Sequence, residues 1–177
     1  SIAAYARVVL ETVGSLGCRL LLEPGRSLVG NAGMLVSRIL YIKDSSTRRF
    51  IILDAAMNDL MRPALYESFH SIRPVMAADA SASLSMVDVV GPICETGDTF
   101  ATKRQMPPLS AGDLVGIADA GAYGMAMAST YNSRPLVPEV MCRDGAFAVV
   151  NRRQTIEETM AREPLPPWLM DHPPSPN

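Results

Sequence analysis

Histidine and cysteine are scarce and badly spaced for chemistry. The histidines are His70 and His172, and the cysteines are Cys18, Cys94 and Cys142. No CxxC pair or HExxH pattern occurs, which excludes a zinc knuckle or a zincin-type metal site and leaves no metal call. An odd cysteine count excludes a closed disulfide framework and fits a reducing cytoplasm. No apolar run approaches the ~20 residues of a membrane span, and no signal peptide opens the chain. Basic residues number 16 against 18 acidic ones, and no basic stripe forms, so neither nucleic acid nor membrane is an expected partner. Arg48-Arg49 and Arg152-Arg153 read as solvated pairs, and the eleven methionines read as scattered core filler. No internal repeat is visible. The first residue, Ser1, is not Met and falls inside a helical pattern, as expected of a segment cut from something longer.

What is present is the composition of a globular chain, with 48% hydrophobic and 19% charged residues over 177 positions. Ile2, Tyr5, Ala6, Val9, Val13 and Leu16 recur at helical steps, and Gly17 follows as a C-terminal cap. Arg19 to Leu22 reads as a short buried strand, ending in the loop Glu23-Pro24-Gly25-Arg26. Helix, strand and glycine loop together make one step of a parallel α/β unit.

Beyond Gly33 the texture changes to short strands. Leu35–Ile42 and Phe50–Leu53 form an expected hairpin around the polar loop Lys43–Arg49. Met86–Val90 and Leu114–Ala118 are further strands, with Thr99–Pro108 a loop between them. Asn58–Phe69 suggests short helical turns. Asp144-Gly145 between apolar residues predicts a tight hairpin over Val140–Val150. Thr155 with Glu158 is a capping-box pattern, opening a helix to about Arg162. Six prolines in the last fourteen residues, from Pro164, predict a mobile tail without helix or ladder. The expected fold is mostly β, a barrel or sandwich domain over residues 34–163. It follows an α/β remnant over residues 1–33 and precedes the tail, residues 164–177.

Four places could carry chemistry. Glu23-Pro24-Gly25-Arg26 offers backbone N–H groups and a guanidinium fork to a phosphate, although such a tetrapeptide is more often a surface turn. In Gly91-Pro92-Ile93-Cys94-Glu95-Thr96-Gly97-Asp98, a thiol beside a carboxylate could move protons. No histidine is adjacent to activate it, and a packed cysteine is the commoner case. Asp119-Ala120-Gly121-Ala122-Tyr123-Gly124 frees the backbone to aim one phenol, or simply buries Tyr123 in a turn. Arg62 and Tyr66 lie four apart, so on a helix they could grip one carboxylate or form an ordinary surface pair. His70 reads as a structural hydrogen-bonding residue.

Singly weak, these signals gain force from their order. Glu-Pro-Gly-Arg is followed by Met-Asn-Asp-Leu-x-Arg-Pro-Ala-Leu-Tyr from Met57. Then come Gly-Pro-Ile-Cys-Glu-x-Gly-Asp, Asp-Ala-Gly-Ala-Tyr-Gly and Ala-Ser-Thr-Tyr-Asn-Ser-Arg-Pro to Pro135. Across residues 1–163 this resembles the C-terminal part of diaminopimelate decarboxylases, fold-type III pyridoxal-phosphate enzymes. Thr96 stands where Ser is usual in them, and Leu136-Val137-Pro138 where Arg-Pro-Ala is common.

The resemblance implies a two-domain enzyme, a TIM-type α/β barrel completed by a β domain. It would release CO2 from meso-2,6-diaminopimelate to give L-lysine. Glu23 would face the pyridine nitrogen, and Gly25 and Arg26 would hold the cofactor phosphate, with Arg26 also facing substrate. Arg62 and Tyr66 would take the distal carboxylate, and Glu95 the distal ammonium. Cys94 would return the proton to Cα, and Tyr123 would contact cofactor and substrate. The Cys-Glu loop would reach into the neighbouring subunit's site, making the enzyme a homodimer. A sister decarboxylase of another basic amino acid or polyamine precursor is the alternative, as is a non-catalytic β-domain partner of decarboxylase subunits. The lysine that carries the cofactor belongs to the barrel in this family. This chain has only Lys43 and Lys103, neither after a barrel strand, so the 177-residue chain alone is expected to be inactive.

Overall fold

The computed structural model describes residues 1–77, 79 and 81–170. Helix α1 (Ile2–Val13) is capped by Ser1, whose Oγ accepts the Ala4 N–H at 3.3 Å. Ser1 therefore stands outside the helix as its N-cap rather than within it. A 3-10 turn over Gly14–Leu16 ends at Gly17, in the left-handed region with φ 64°. Residues 17–25 are irregular and exposed. The strand expected at Arg19–Leu22 is absent, because an apolar run becomes a strand only by pairing, and no described neighbour pairs with it. A short helix α2 (Arg26–Val29) and a 3-10 turn over Gly30–Ala32 lead into the β structure.

Six strands form one sheet: β1 (Met34–Asp44), β2 (Arg49–Leu53), β3 (Ile72–Pro74), β4 (Ser85–Val90), β5 (Thr99–Met106) and β6 (Leu114–Ala118). Their order is β3-β6-β1-β2-β4-β5. Every pairing is antiparallel except β2 with β4. The long strand β1 pairs with β6 over Met34–Arg38 and with β2 from Ile39 onward, with an irregularity between Ile39 and Tyr41. That irregularity lets one strand serve two halves of the sheet. Ile72 on one edge strand and Phe100 and Met106 on the other join a single buried cluster with Ile39, Ile51, Leu53, Leu60, Val87, Val89, Val115 and Ile117. Residues from both edges can share a core only if the sheet curls, so the body is a half-barrel.

The β1–β2 hairpin, β4 and β6 stand where expected. Two strands do not match the sequence pattern. β5 occupies the stretch read as a loop, and it carries Lys103. β3 is only three residues long and ends in Pro74. A second hairpin, β7 (Glu139–Arg143) and β8 (Ala146–Asn151), turns at Asp144-Gly145 as expected. Every residue of β7 and β8 is exposed. Helix α4 (Ile156–Met160) has the full capping box, Thr155 Oγ1 with the Glu158 N–H and Glu158 with the Thr155 N–H. The proline-rich end, expected to hold no helix, forms a turn of helix α5 (Pro167–Met170). There Pro167 sits in the first turn, where its missing N–H costs nothing. Residues 171–177 of that tail, with His172, lie outside the described residues.

Arg48, Arg49 and Arg152, expected to be merely solvated, each carry an ion pair, to Asp88, Asp44 and Glu158. No described helix is long and apolar enough to cross a membrane.

Candidate active site

The Asp119–Gly124 loop is stitched by backbone to the turn at Gly30–Gly33, which follows the Glu23–Arg26 loop and α2. Ala120 N donates to Gly33 O at 2.9 Å, and Gly121 N donates to Gly30 O at 3.0 Å. A methyl group on Gly121 would collide with Val29 O and Gly33 N, so the loop and this turn approach so closely only because glycine stands there. The approach carries the phenol of Tyr123 to Gly25, where a Cβ would clash with the Tyr123 hydroxyl. Tyr123 itself has φ 58°, a left-handed conformation unusual for a bulky residue and of the kind concentrated at binding sites.

Arg62 opens helix α3 (Arg62–Tyr66), the only helical turn of the stretch Asn58–Phe69. Its guanidinium carbon lies 5.6 Å from the centre of the Tyr66 ring and 5.7 Å from that of Tyr123. Two aromatic faces thus flank one cation, an arrangement that holds the charge while leaving its donors free. Arg62 Nη2 donates to Ser68 Oγ at 3.2 Å, and its buried Nε has no partner among the described residues. A buried guanidinium donor without an acceptor is costly unless an anion meets it. The expected Arg62–Tyr66 pair is therefore present, and Tyr123 joins it.

Cys94 and Glu95 stand apart from that cluster. Both are exposed on the loop after β4. Glu95 Oε1 accepts the Gly97 N–H at 3.0 Å, and no described hydrogen bond, ion pair or aromatic contact joins either residue to Arg62, Tyr66 or Tyr123. Glu23 and Arg26 are exposed, and neither side chain has a hydrogen-bond or ion-pair partner among the described residues. Their charges and the small Gly25 beside a phenol fit a group carrying both a basic ring nitrogen and a phosphate. His70 is structural as expected, its Nδ1 2.8 Å from Ala118 O. Among the described residues, no group of three or more His, Cys, Asp and Glu side chains could hold a metal ion.

The sequence pattern missed a buried polar network beneath these loops. Arg134 donates from Nε to Asn58 Oδ1 at 2.9 Å and from Nη2 to Asp54 O, with Asp59 Oδ2 at 3.5 Å. Asn58 Nδ2 donates to Asp59 Oδ1 at 3.0 Å and to Ser129 O at 3.1 Å. Burial pushes the Asp59 carboxyl above its ordinary pKa, against the lowering effects of the Ala56 N–H and of Arg134. The available signal was Arg134 in the Asn-Ser-Arg-Pro run, but nothing local indicates that it reaches back to Asn58.

Residues 8–121 match the family model described as the C-terminal sheet domain of pyridoxal-dependent decarboxylases. The chain is 49% identical over 169 residues to a diaminopimelate decarboxylase of Zymomonas mobilis, covering 96% of this chain and 39% of that protein. A crystal structure of diaminopimelate decarboxylase from Helicobacter pylori complexed with L-lysine is 39% identical, with a TM-score of 0.79. It aligns with 92% of this chain, which spans 40% of that one. A diaminopimelate decarboxylase structure from M. jannaschii gives a TM-score of 0.82 at 32% identity, over 93% of this chain and 38% of that one. The chain thus spans about two fifths of the length of the relatives it matches.

Proposed function

The chain belongs to the pyridoxal-dependent decarboxylases, as their C-terminal sheet domain, and from that premise we propose that it is part of a diaminopimelate decarboxylase. In this reading the enzyme releases CO2 from meso-2,6-diaminopimelate and leaves L-lysine. Residues 1–33 belong with an α/β barrel, residues 34–163 form the β domain, and residues 164–177 are a tail. The exposed apolar residues of α1 and of the β7–β8 hairpin, Ile2, Tyr5, Val140, Phe147 and Val149 among them, support a covering surface contributed by such a barrel. The enzyme works as a cytoplasmic homodimer.

The observation that carries the substrate assignment is Arg62 between Tyr66 and Tyr123, with its buried Nε unpartnered. A carboxylate distal to the reacting carbon satisfies that donor. The carboxylate of Glu95 suits the distal ammonium, so together the two select a substrate charged in both senses at its far end.

When bound, pyridoxal phosphate supplies an electron sink for the pair left at Cα as the Cα–CO2 bond breaks. Glu23 keeps the pyridine nitrogen protonated, Gly25 and Arg26 hold the phosphate, with Arg26 also facing substrate, and Tyr123 orients cofactor and substrate. Cys94 holds its proton at Sγ and delivers it to Cα, becoming a thiolate. The contacts around Tyr123 fall within one chain, whereas Cys94 and Glu95 are presented outward. This arrangement supports a site shared between two subunits, with the Cys94 loop serving the partner's cofactor. Lys43 and Lys103 lie on β1 and β5, away from the loops that hold Glu23 and Tyr123, so the lysine that binds the cofactor is supplied by the barrel.

The test is direct assay of the full-length protein for CO2 release and lysine formation from meso-2,6-diaminopimelate, beside lysine, ornithine and arginine as substrates. The reading expects activity on diaminopimelate well above the others. A preference for a substrate lacking the distal carboxylate would overturn the assignment of Arg62.

A further inference from the structure

Asp98 is a carboxylate that the proposed chemistry does not use, yet it is 3% exposed and placed under the Cys94–Glu95 loop. Its Oδ2 accepts the Ile93 N–H at 2.8 Å, and its Oδ1 accepts the Met57 N–H at 2.7 Å. Its backbone closes the same loop from both ends: Gly91 N donates to Asp98 O at 3.0 Å, and Asp98 N donates to Glu95 O at 3.0 Å. Gly91 is part of the same device, because a Cβ there would collide with both carboxylate oxygens. One buried side chain therefore ties the residue before Cys94 to the residue before Asn58. Asn58 in turn accepts from Arg134.

We propose that Asp98 is a positioning residue: its carboxylate clamps the Ile93 and Met57 amides and thereby fixes the exposed loop that presents Cys94 and Glu95 to the reacting substrate. This rests on the proposed function, since it takes Cys94 as the proton donor and Glu95 as the ammonium partner. The physical logic is that of preorganisation. Cys94 and Glu95 are exposed, and the one side-chain hydrogen bond of either among the described residues, from the Gly97 N–H to Glu95, stays within the loop. A misplacement of about 1 Å can cost on the order of 10²-fold in rate. A carboxylate can accept from two amides at once, one on each oxygen, whereas an amide side chain of the same shape offers one acceptor and one donor. In Asp98→Asn, one of the two backbone N–H groups therefore meets another donor and one end of the clamp is released.

The experiment uses the full-length holoenzyme with Asp98→Asn, Gly91→Ala, Cys94→Ala and the double variant Asp98→Asn/Cys94→Ala. Turnover per bound cofactor, KM for diaminopimelate and thermal midpoint are measured for each. Asp98→Asn is expected to lower kcat per loaded site by about 10- to 100-fold and to raise KM, combining the effects of losing Cys94 and Glu95. In the Cys94→Ala background the same change should lower kcat by less than about threefold, because a residue acting through Cys94 has nothing left to position. Gly91→Ala, which displaces the carboxylate without removing it, should shift kcat in the same direction. If Cys94→Ala itself keeps wild-type turnover, the assignment of Cys94 fails, and the inference fails with it. If Cys94→Ala is slow while Asp98→Asn keeps wild-type kcat and KM, the proposed function stands and the inference is overturned. If Asp98→Asn and Gly91→Ala lose activity only in proportion to lost folded protein, Asp98 is structural and the inference is likewise overturned.

Discussion

The Arg62–Tyr66–Tyr123 cluster and the Cys94–Glu95 loop are held by opposite means. In the cluster the functional groups hold one another: two rings flank a guanidinium, and the phenol of Tyr123 lies against Gly25. In the loop the side chains reach no other part of the chain, and Glu95 bonds only the Gly97 N–H beside it. Cys94 and Glu95 are exposed, while the Asp98 carboxylate fixes the backbone beneath them. A cluster that closes on itself can bind within its own chain. A loop that is rigid below and bare above is suited to complete a site elsewhere. That difference is the physical basis for assigning the two halves to different subunits' cofactors.

The largest effect that could break this comparison is at Cys94. In the full-length enzyme, Cys94→Ala should lower kcat by about 10²- to 10⁴-fold, the range of a positioned acid, with cofactor content unchanged by spectroscopy. Near-wild-type turnover would return Cys94 to an ordinary exposed thiol. Next come the charged partners. Glu95→Gln and Arg62→Met should each weaken substrate binding by about 1.5–3 kcal/mol, the worth of a hydrogen bond to a charged group, read as a rise in KM. Arg62→Met should in addition weaken binding of the product lysine about as much as that of diaminopimelate, since CO2 leaves from the reacting carbon and lysine keeps the distal carboxylate. Weakened diaminopimelate binding with lysine binding unchanged would place Arg62 outside the distal-carboxylate subsite.

A third prediction separates the chain from the whole enzyme. The isolated 177 residues mixed with pyridoxal phosphate should show no stoichiometric visible band that survives gel filtration, because Lys43 and Lys103 sit on β1 and β5. A retained band that is lost in either Lys43→Ala or Lys103→Ala would contradict the placement of the cofactor lysine in the barrel.

The smallest effect is a pH response of opposite sign in the network under the site and in the flanking helix. Hydrogen bonds from Arg152 and from the Thr155 N–H hold the Glu158 carboxyl down to about 2, below an ordinary 4.5. Its contribution is present above the ordinary value and is lost as pH falls through about 2. Burial raises both Asp59 and Asp98 instead. For these two, the folded state takes up protons before the unfolded one, so their contribution rises as pH falls through the folded pKa. Amide exchange on acidification should therefore show α4 losing protection before the loops around Asp59 and Asp98. The reverse order would contradict these assignments.

Much of this was legible where the signal was local. Asp144-Gly145 turns its hairpin, Thr155 and Glu158 cap α4, and the apolar run Leu114–Ala118 is β6, because each depends only on near neighbours. The ordered motifs also singled out Arg62, Tyr66 and Tyr123, which the fold places in contact. The failures come from pairing and distance. Arg19–Leu22 has the composition of a strand but no described partner. Thr99–Met106 is rich in polar side chains, yet it is a strand because it pairs with β4. Arg134 bonds Asn58 across 76 residues, and Asp98 bonds Met57 across 41, separations that no spacing rule anticipates.

The central claim, that two unlike half-sites meet across a dimer, is tested most directly by mixing two impaired variants and assaying at substrate well below the wild-type KM. Cys94→Ala and Arg62→Ala full-length enzymes are each assayed alone, then unfolded and refolded together in equal amounts. If Cys94 serves the partner's cofactor, half of the randomly formed dimers carry one intact site out of two, so activity should return to about a quarter of wild type. If Cys94 and Arg62 act in the same chain's site, every site in every dimer lacks one of them, and mixing would restore nothing.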